Sequence, residues 1–287
     1  MRFGWFDFID DLNVSKALLN QVEDIGRSHD LEYIEGPVGF SNLDKVGVIT
    51  DGFDAIGSMI SWYNYAYYSE HYYKANYSVE KSYVESKFPF KNITNIDHYS
   101  RLKDIIQKRY NLSLLNAKKT KDIMPHVDAM FDLFNNSYAS LSSFVPISDS
   151  QKIHIKKKFI SFINPEYIKL VFDKDHNMVA FAVVMPVFAE ALQKMKGQLF
   201  PFGFRHILKV KKQPKNVMFY LIGVDPKYQN KGVHAIIFDA YHKEFKLQDI
   251  QTCYRSAELE DNLKIQRVWK HFNPTVFRKR KTFKKIL

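Results

Sequence analysis

At 287 residues, with 46% hydrophobic and 15% aromatic content, the chain can build one large domain or two of moderate size with a sizeable core. Its one cysteine, Cys253, excludes an internal disulfide framework and reads, between apolar neighbours, as a buried structural thiol in a reducing, cytoplasmic setting. No apolar run approaches the ~20 residues of a membrane-spanning helix, and a net charge of +11 admits an anionic cofactor, nucleic acid or anionic lipid without choosing among them.

Taken in chain order, residues 3–9 are rich in aromatic side chains and predict a strand. A turn at residues 10–13 leads into an amphipathic helix with Val14, Leu18, Val22 and Ile25 on one face and Asn13 as its N-cap. A second strand is expected at residues 31–34. Residues 97–110 predict a helix and residues 111–116 a strand, which together mark a candidate domain boundary. Helices follow at residues 123–139 and 149–163, then a hairpin of strands 167–173 and 178–185 around the turn cluster 174–177. Residues 186–215 hold a helix at 188–196 and a second short one, with Phe200, Phe202 and Phe204 between aromatic packing and the wall of a substrate pocket.

The order strand, turn, helix, strand then recurs. Residues 217–224 form an apolar strand and residues 225–232 a turn. The following helix sets Val233, Ile236, Ile237, Ala240 and Tyr241 on one face, and residues 250–257 complete the unit as a strand. Strands alternating with helices imply a mixed α/β sheet. Arg278, Lys279, Arg280 and Lys281, with Lys284 and Lys285, form the densest basic run, either a solvated terminal strand or a phosphate-binding patch.

The turn before the last long helix carries the chemistry. A strand that bends through Gly232 into a helix N-terminus points unpaired backbone N–H groups outward, and the helix dipole adds positive potential. Lys231 adds a cation. The same residues also suit an ordinary strand-to-helix crossover.

Val224, Pro226, Tyr228, Gln229, Gly232 and His234 stand in the spacing V-x-P-x-[Y/F]-[Q/R]-x-x-G-x-[G/A]. This resembles motif A of the GNAT N-acetyltransferase superfamily. Asn262, Ile265, Val268 and Trp269 are similar to that family's N-x-x-A-x-x-L-Y helix. Residues 36–37, 51–54, 63–68, 144–148 and 197–203 extend the resemblance across nearly the whole chain, towards large two-domain bacterial GNAT-like proteins of unassigned substrate. The resemblance implies a tandem GNAT-like fold with an incomplete first copy, residues 1–108, and a complete second copy, residues 109–287. The first copy starts at the fourth strand of the GNAT order, through truncation or loss of earlier strands, and leaves a sheet edge able to pair with another chain.

For function the resemblance implies an acyl-CoA-dependent N-acyltransferase, with acetyl-CoA or another acyl-CoA as co-substrate, no metal, and a small-molecule amine or a peptide as acceptor. Backbone amides of Gln229, Asn230, Lys231, Gly232, Val233 and His234 would bind the CoA pyrophosphate. Ile222, Gly223 and Val224 would pair with the pantetheine arm on a splayed strand edge, and Asn262 would contact the cofactor. Glu258 is the first candidate base and Tyr220 the second, although each also suits a structural role. His234 replaces the usual Gly or Ala, and Trp269 replaces the Tyr that often protonates the leaving thiolate, which an indole cannot do. Asp10 and Asp11 would repel pyrophosphate at the first copy's equivalent turn, so that half is expected to bind no CoA and to serve as scaffold or substrate wall. No membrane partner is expected. The alternatives are an aminoacyl-tRNA-dependent transferase, to which the +11 charge is suited, and a non-catalytic GNAT-fold binding protein.

Overall fold

The computed structural model describes residues 1–287 apart from 42, 94–95, 142–143 and 157–162. The first elements are helix α1 (Leu12–Ser28), strands β1 (Tyr33–Gly36) and β2 (Val48–Asp51), helix α2 (Tyr67–Lys74) and strand β3 (Ser78–Pro89). Next come α3 (Ile96–Tyr110), β4 (Ser113–Leu114), α4 (Thr120–Ile123), α5 (Val127–Tyr138), α6 (Asp149–Ile155), β5 (Ile168–Phe172), β6 (Met178–Pro186), α7 (Ala189–Lys194) and α8 (Phe204–Lys212). The chain ends with β7 (Asn216–Val224), α9 (His234–Leu247), β8 (Thr252–Leu259), α10 (Leu263–Lys270) and β9 (Thr275–Ile286). These are the mixed helices and strands the alternating pattern predicts. The chain divides into one unit of Met1–Lys87, Ser256–Lys270 and Pro274–Leu287, and a second of Phe88–Arg255 and His271–Asn273. This division differs from the expected break after residue 108, because the last strand pairs with strands of the first half.

In the first unit β9 is central, antiparallel to β1, β2 and β3, and the second half of β8 follows β3 in the strand order. The core is aromatic: Phe3, Phe8, Tyr68, Tyr72, Tyr77 and Phe283 are buried with Leu19, Ile34 and Val48. Tyr72 and Phe283 stack at 4.6 Å with their planes 3° apart. Burying such rings is the main stabilising term in a unit of this size.

Several expectations fail in this unit. Residues 3–9 form no strand. Instead Phe3 N–H donates to the Glu35 carbonyl and Glu35 N–H to the Met1 carbonyl, so residues 1–3 lie along the edge of β1. The N-cap of α1 is Asp11, whose side chain accepts the Asn13 N–H. The buried stripe of α1 is Ser15, Leu19, Glu23 and Gly26, while Leu18 and Ile25 are exposed. The stripe rotates because Glu23 is held in the interior by Lys285 at 2.7 Å, Arg27 at 3.0 Å and the Tyr77 hydroxyl at 3.3 Å. Burial alone would raise the Glu23 pKa, but the bonds from Lys285 and Arg27 bring it below the usual value.

The basic run is not a solvated tail. On β9 the side chains alternate, so Arg278, Arg280 and Thr282 are buried while Lys279 is exposed. Both guanidiniums pair with buried Glu85. Arg280 also donates to the Gly47 carbonyl at 3.3 Å and the Trp62 carbonyl at 2.5 Å, and Arg278 to the carbonyls of Gly52 and Ala55. A fully desolvated Arg–Glu–Arg set needs such extra acceptors to offset the cost of its excess charge.

The second unit carries the order β4, β5, β6, β7 and the first half of β8. All residues of β5 and β6 are buried, so both sheet faces are covered there. The expected helix at 123–139 is split by a tight turn at Met124–His126 that contains Pro125, which cannot donate to a continuing helix. The expected helix at 149–163 is present as α6, and residues 157–162 lie outside the described residues. The hairpin, its turn, the strand 217–224 and the helix after it are where the periodicity puts them. Val233, Ile236, Ile237 and Tyr241 are buried, and the Tyr241 hydroxyl donates to the carbonyls of Tyr167 and Ala182 at 2.9 and 3.0 Å.

Candidate functional site

The residues between β7 and α9 build a turn with open donors. Asp225 starts it: its N–H donates to the Val179 carbonyl, and its carboxylate accepts the Lys227 N–H at 2.7 Å. Pro226–Tyr228 then forms one tight helical turn. The amides of Gln229 and Lys231 are used within it, donating to the carbonyls of Asp225 and Tyr228, and the Gln229 side chain ties back to the Val224 carbonyl at 3.2 Å. Asn230 and Gly232 both take positive φ, 59° and 78°, which swings the chain into α9; such angles suit asparagine and glycine. The N–H groups of Asn230, Gly232, Val233 and His234 have no partner among the described residues. They stand at the positive end of a 14-residue helix, the arrangement that accepts a phosphate group.

Around this mouth Val233 is buried and Gly232 and His234 are half-buried. One flank of Gly232 faces Ile106 and Leu102 of α3, while Asn230 and Lys231 are exposed. The Lys231 ammonium lies over the rings of Tyr110 and Tyr228, at 5.3 and 5.2 Å, which holds a cation beside the open amides. The His234 ring meets the Phe238 ring, one turn further along α9, edge-on at 6.0 Å. Burial, with a smaller push from His271, lowers the His234 pKa, so the imidazole is neutral at pH 7.

On the strand side, β7 pairs with β6 along its length, with a register irregularity between Phe219 and Leu221. Its parallel pairing to β8 runs only from Asn216–Thr252 to Phe219–Arg255. Beyond Phe219 the edge of β7 that carries Ile222, Gly223 and Val224 is therefore unpaired by β8. The Tyr138 hydroxyl, at the end of α5, donates to the Ile222 carbonyl at 3.0 Å, and that oxygen keeps a second lone pair. Sequence reasoning missed Tyr138 and Tyr110, whose only signal is an aromatic at a helix end.

Tyr220, Ile222 to Val224 and Gln229 to His234 thus gather in the second unit. Glu258 and Asn262 belong to the first. There the Trp269 indole N–H donates to Glu258 Oε1 at 3.1 Å, and Trp269 is buried. Asn262 accepts the Ile265 N–H at 3.4 Å and so serves at the start of α10. Cys253 is buried on β8, where burial pushes its thiol pKa up, away from nucleophilic use. No cluster of potential metal ligands occurs among the described residues, and no helix among them is long and apolar enough to cross a membrane.

No protein-family profile matches the chain. It is 22% identical over 290 residues to protein YghO of Escherichia coli (strain K12), covering 99% of this chain and 73% of that protein. It is 22% identical over 236 residues to the bacterial ceramide synthase of Caulobacter vibrioides (strain NA1000 / CB15N), covering 79% of this chain and 59% of that one. A tandem GNAT protein from the clavulanic acid biosynthesis pathway superposes with a TM-score of 0.51 over 97% of this chain and 71% of its own, at 6% identity. With its strand order, splayed β7 edge and donor-bearing turn, the chain has a tandem GNAT-like fold.

Proposed function

We propose that the chain is an N-acyltransferase that takes an acyl group from an acyl-CoA and passes it to an amine. The observation that supports this reading is the set of four unpartnered amides at Asn230, Gly232, Val233 and His234, in a turn with the motif A spacing. A pyrophosphate is the ligand whose charge and size suit consecutive N–H donors at a helix mouth. The unpaired edge of β7 offers Ile222 to Val224 to the amide groups of a pantetheine arm, and a backbone N–H there would stabilise the thioester oxyanion.

In the proposed reaction a general base, for which the sequence offers Glu258, removes the extra proton of the amine, and the nitrogen attacks the thioester carbon. A C–N bond forms, the C–S bond breaks, the nitrogen passes its remaining extra proton to water, and CoA leaves as a thiolate that takes a proton from water. Trp269 is not the acid; its N–H holds Glu258. A ceramide is an N-acyl amine, so the name of the Caulobacter relative describes amide formation of this kind and favours testing long-chain acyl-CoA beside acetyl-CoA. The indole bond to the proposed base also favours a second reading, a GNAT-fold binding protein that holds acyl-CoA without turnover.

Thermal unfolding with acetyl-CoA, palmitoyl-CoA, CoA and tRNA tests the binding. At 100 times its dissociation constant a ligand adds about 2.7 kcal/mol. A CoA response with turnover that disappears in Glu258→Gln supports the transferase, and a response without turnover of any amine supports the binding protein. Stabilisation by tRNA alone would refute both.

A further inference from the structure

The connection from β6 to β7 has an unusual surface. From residue 191 to residue 224 the sequence contains seven Lys or Arg and no Asp or Glu. In its middle Phe200 is 75% exposed, Phe202 62%, Leu208 56% and Leu199 45%, so these side chains stand out into solvent, while Phe204 is half-buried. They form one patch. The Phe200 ring lies 6.2 Å from the Phe204 ring, Phe204 and Leu208 are one turn apart on α8, and the Arg205 guanidinium sits 4.9 Å over the Phe202 ring. Arg205, Lys209 and Lys212 are exposed beside it, and α8 has no fully buried residue.

Water disfavours a contiguous apolar patch of this kind, and its exposure marks an interaction surface. Its chemistry selects the partner. Aromatic and leucine side chains bordered by cations, with no acid for the whole length of the segment, form the pattern of a helix that lies in a lipid interface. Nucleic acid would use the cations and stack on the rings, but the exposed leucines would gain little from a phosphate backbone. A surface of this kind needs no spanning helix, so the sequence expectation of no membrane partner, which rested on the lack of a long apolar run, does not bear on it.

We infer that the α7–α8 connection docks on an anionic lipid surface. Phe200, Phe202 and Leu208 enter the headgroup and acyl-chain boundary, and Arg205, Lys209 and Lys212 pair with headgroup phosphates. The docking stands apart from the proposed acyl transfer and does not require it.

Co-sedimentation of the full chain with vesicles tests this. Binding is expected with phosphatidylcholine–phosphatidylglycerol vesicles, weakening as salt rises, and not with phosphatidylcholine alone. Phe200→Ser combined with Phe202→Ser should lower partitioning by about tenfold or more. Arg205→Gln, Lys209→Gln and Lys212→Gln should lower it by about fivefold per cation removed. Both variants alter exposed side chains and should keep the parent's unfolding midpoint and its response to CoA. Failure of the parent to sediment with anionic vesicles, or equal binding by parent and variants, overturns the assignment. Capture by tRNA in place of vesicles, lost only in the basic variant, overturns it in favour of nucleic acid.

Discussion

Val233→Pro isolates the contribution of one backbone donor. Val233 is the N-cap of α9 with φ of −56°, close to the value of about −65° that a proline ring imposes. Its N–H has no partner among the described residues, so the folded protein loses no internal hydrogen bond. Gly232 precedes it and lacks the Cβ that crowds a following proline. Val233 is buried, so its side chain needs its own control. Val233→Ala removes the two methyl groups, keeps the donor and should cost about 1–2 kcal/mol of stability. If the amide holds a pyrophosphate oxygen, Val233→Pro deletes a hydrogen bond to a charged group, worth about 1.5–3 kcal/mol. That is about a 10- to 150-fold rise in the Kd for CoA, whereas Val233→Ala should bind CoA like the parent. Isothermal titration with CoA, alongside urea unfolding of each variant, reads both quantities. If Val233→Pro folds and binds CoA as tightly as the parent, the open amides are not the anion site. Equal losses in both variants would assign the effect to the side chain.

Three further outcomes follow from the geometry. Arg280→Met strands the buried Gly47 carbonyl and the half-buried Trp62 carbonyl and leaves Glu85 to Arg278; a loss of about 3–5 kcal/mol is expected from urea unfolding, and one no larger than a surface change, about 0.5 kcal/mol, would refute the buried network. Because the folded His234 pKa is lowered, the unfolded chain takes up its proton first as pH falls. Stability should therefore be full above the ordinary imidazole pKa of about 6.5 and decline below it. His234→Asn should flatten part of that slope in midpoints measured from about pH 8 to 5, with His242, also lowered by burial, contributing the rest. Trp269→Phe removes the donor to Glu258, so the acid limb of any pH–rate profile should move to higher pH, a shift that a purely structural indole would not produce.

The second half was largely legible because its elements obey one period at a time. The strand 217–224, the glycine-bearing turn and the helix with Val233, Ile236, Ile237 and Tyr241 inward use apolar residues for burial and Asp, Asn and Gly for bends. The first half was less legible because polar groups do the work of core residues. Glu23 turns the α1 stripe away from Leu18 and Ile25, and Arg278 and Arg280 occupy positions where alternation would want aliphatic side chains. Neither is visible without the distant partner, Lys285 for one and Glu85 for the other. Tyr138 was hidden for the same reason: its bond to the Ile222 carbonyl joins residues 84 positions apart.

The helix mouths of α1 and α9 are treated differently, and this bears on which one acts. At α1 the protein fills the mouth itself. The Asp11 carboxylate accepts the Asn13 N–H at 2.7 Å, the Asp11 carbonyl accepts the Ser15 N–H, and His71 bridges Ser15 at 2.8 Å and Asp10 at 3.0 Å. An approaching phosphate would meet two carboxylates before any open amide. At α9 the cap residue is a valine with no side-chain oxygen, the turn's one carboxylate, Asp225, is spent on Lys227, and Lys231 waits at the surface. A helix built only for stability would place Ser, Thr, Asp or Asn at that cap and gain about 1 kcal/mol. The forgone cap, in a turn that leaves four amides without a partner among the described residues, is the reason to assign ligand binding to the second copy and a supporting role to the first.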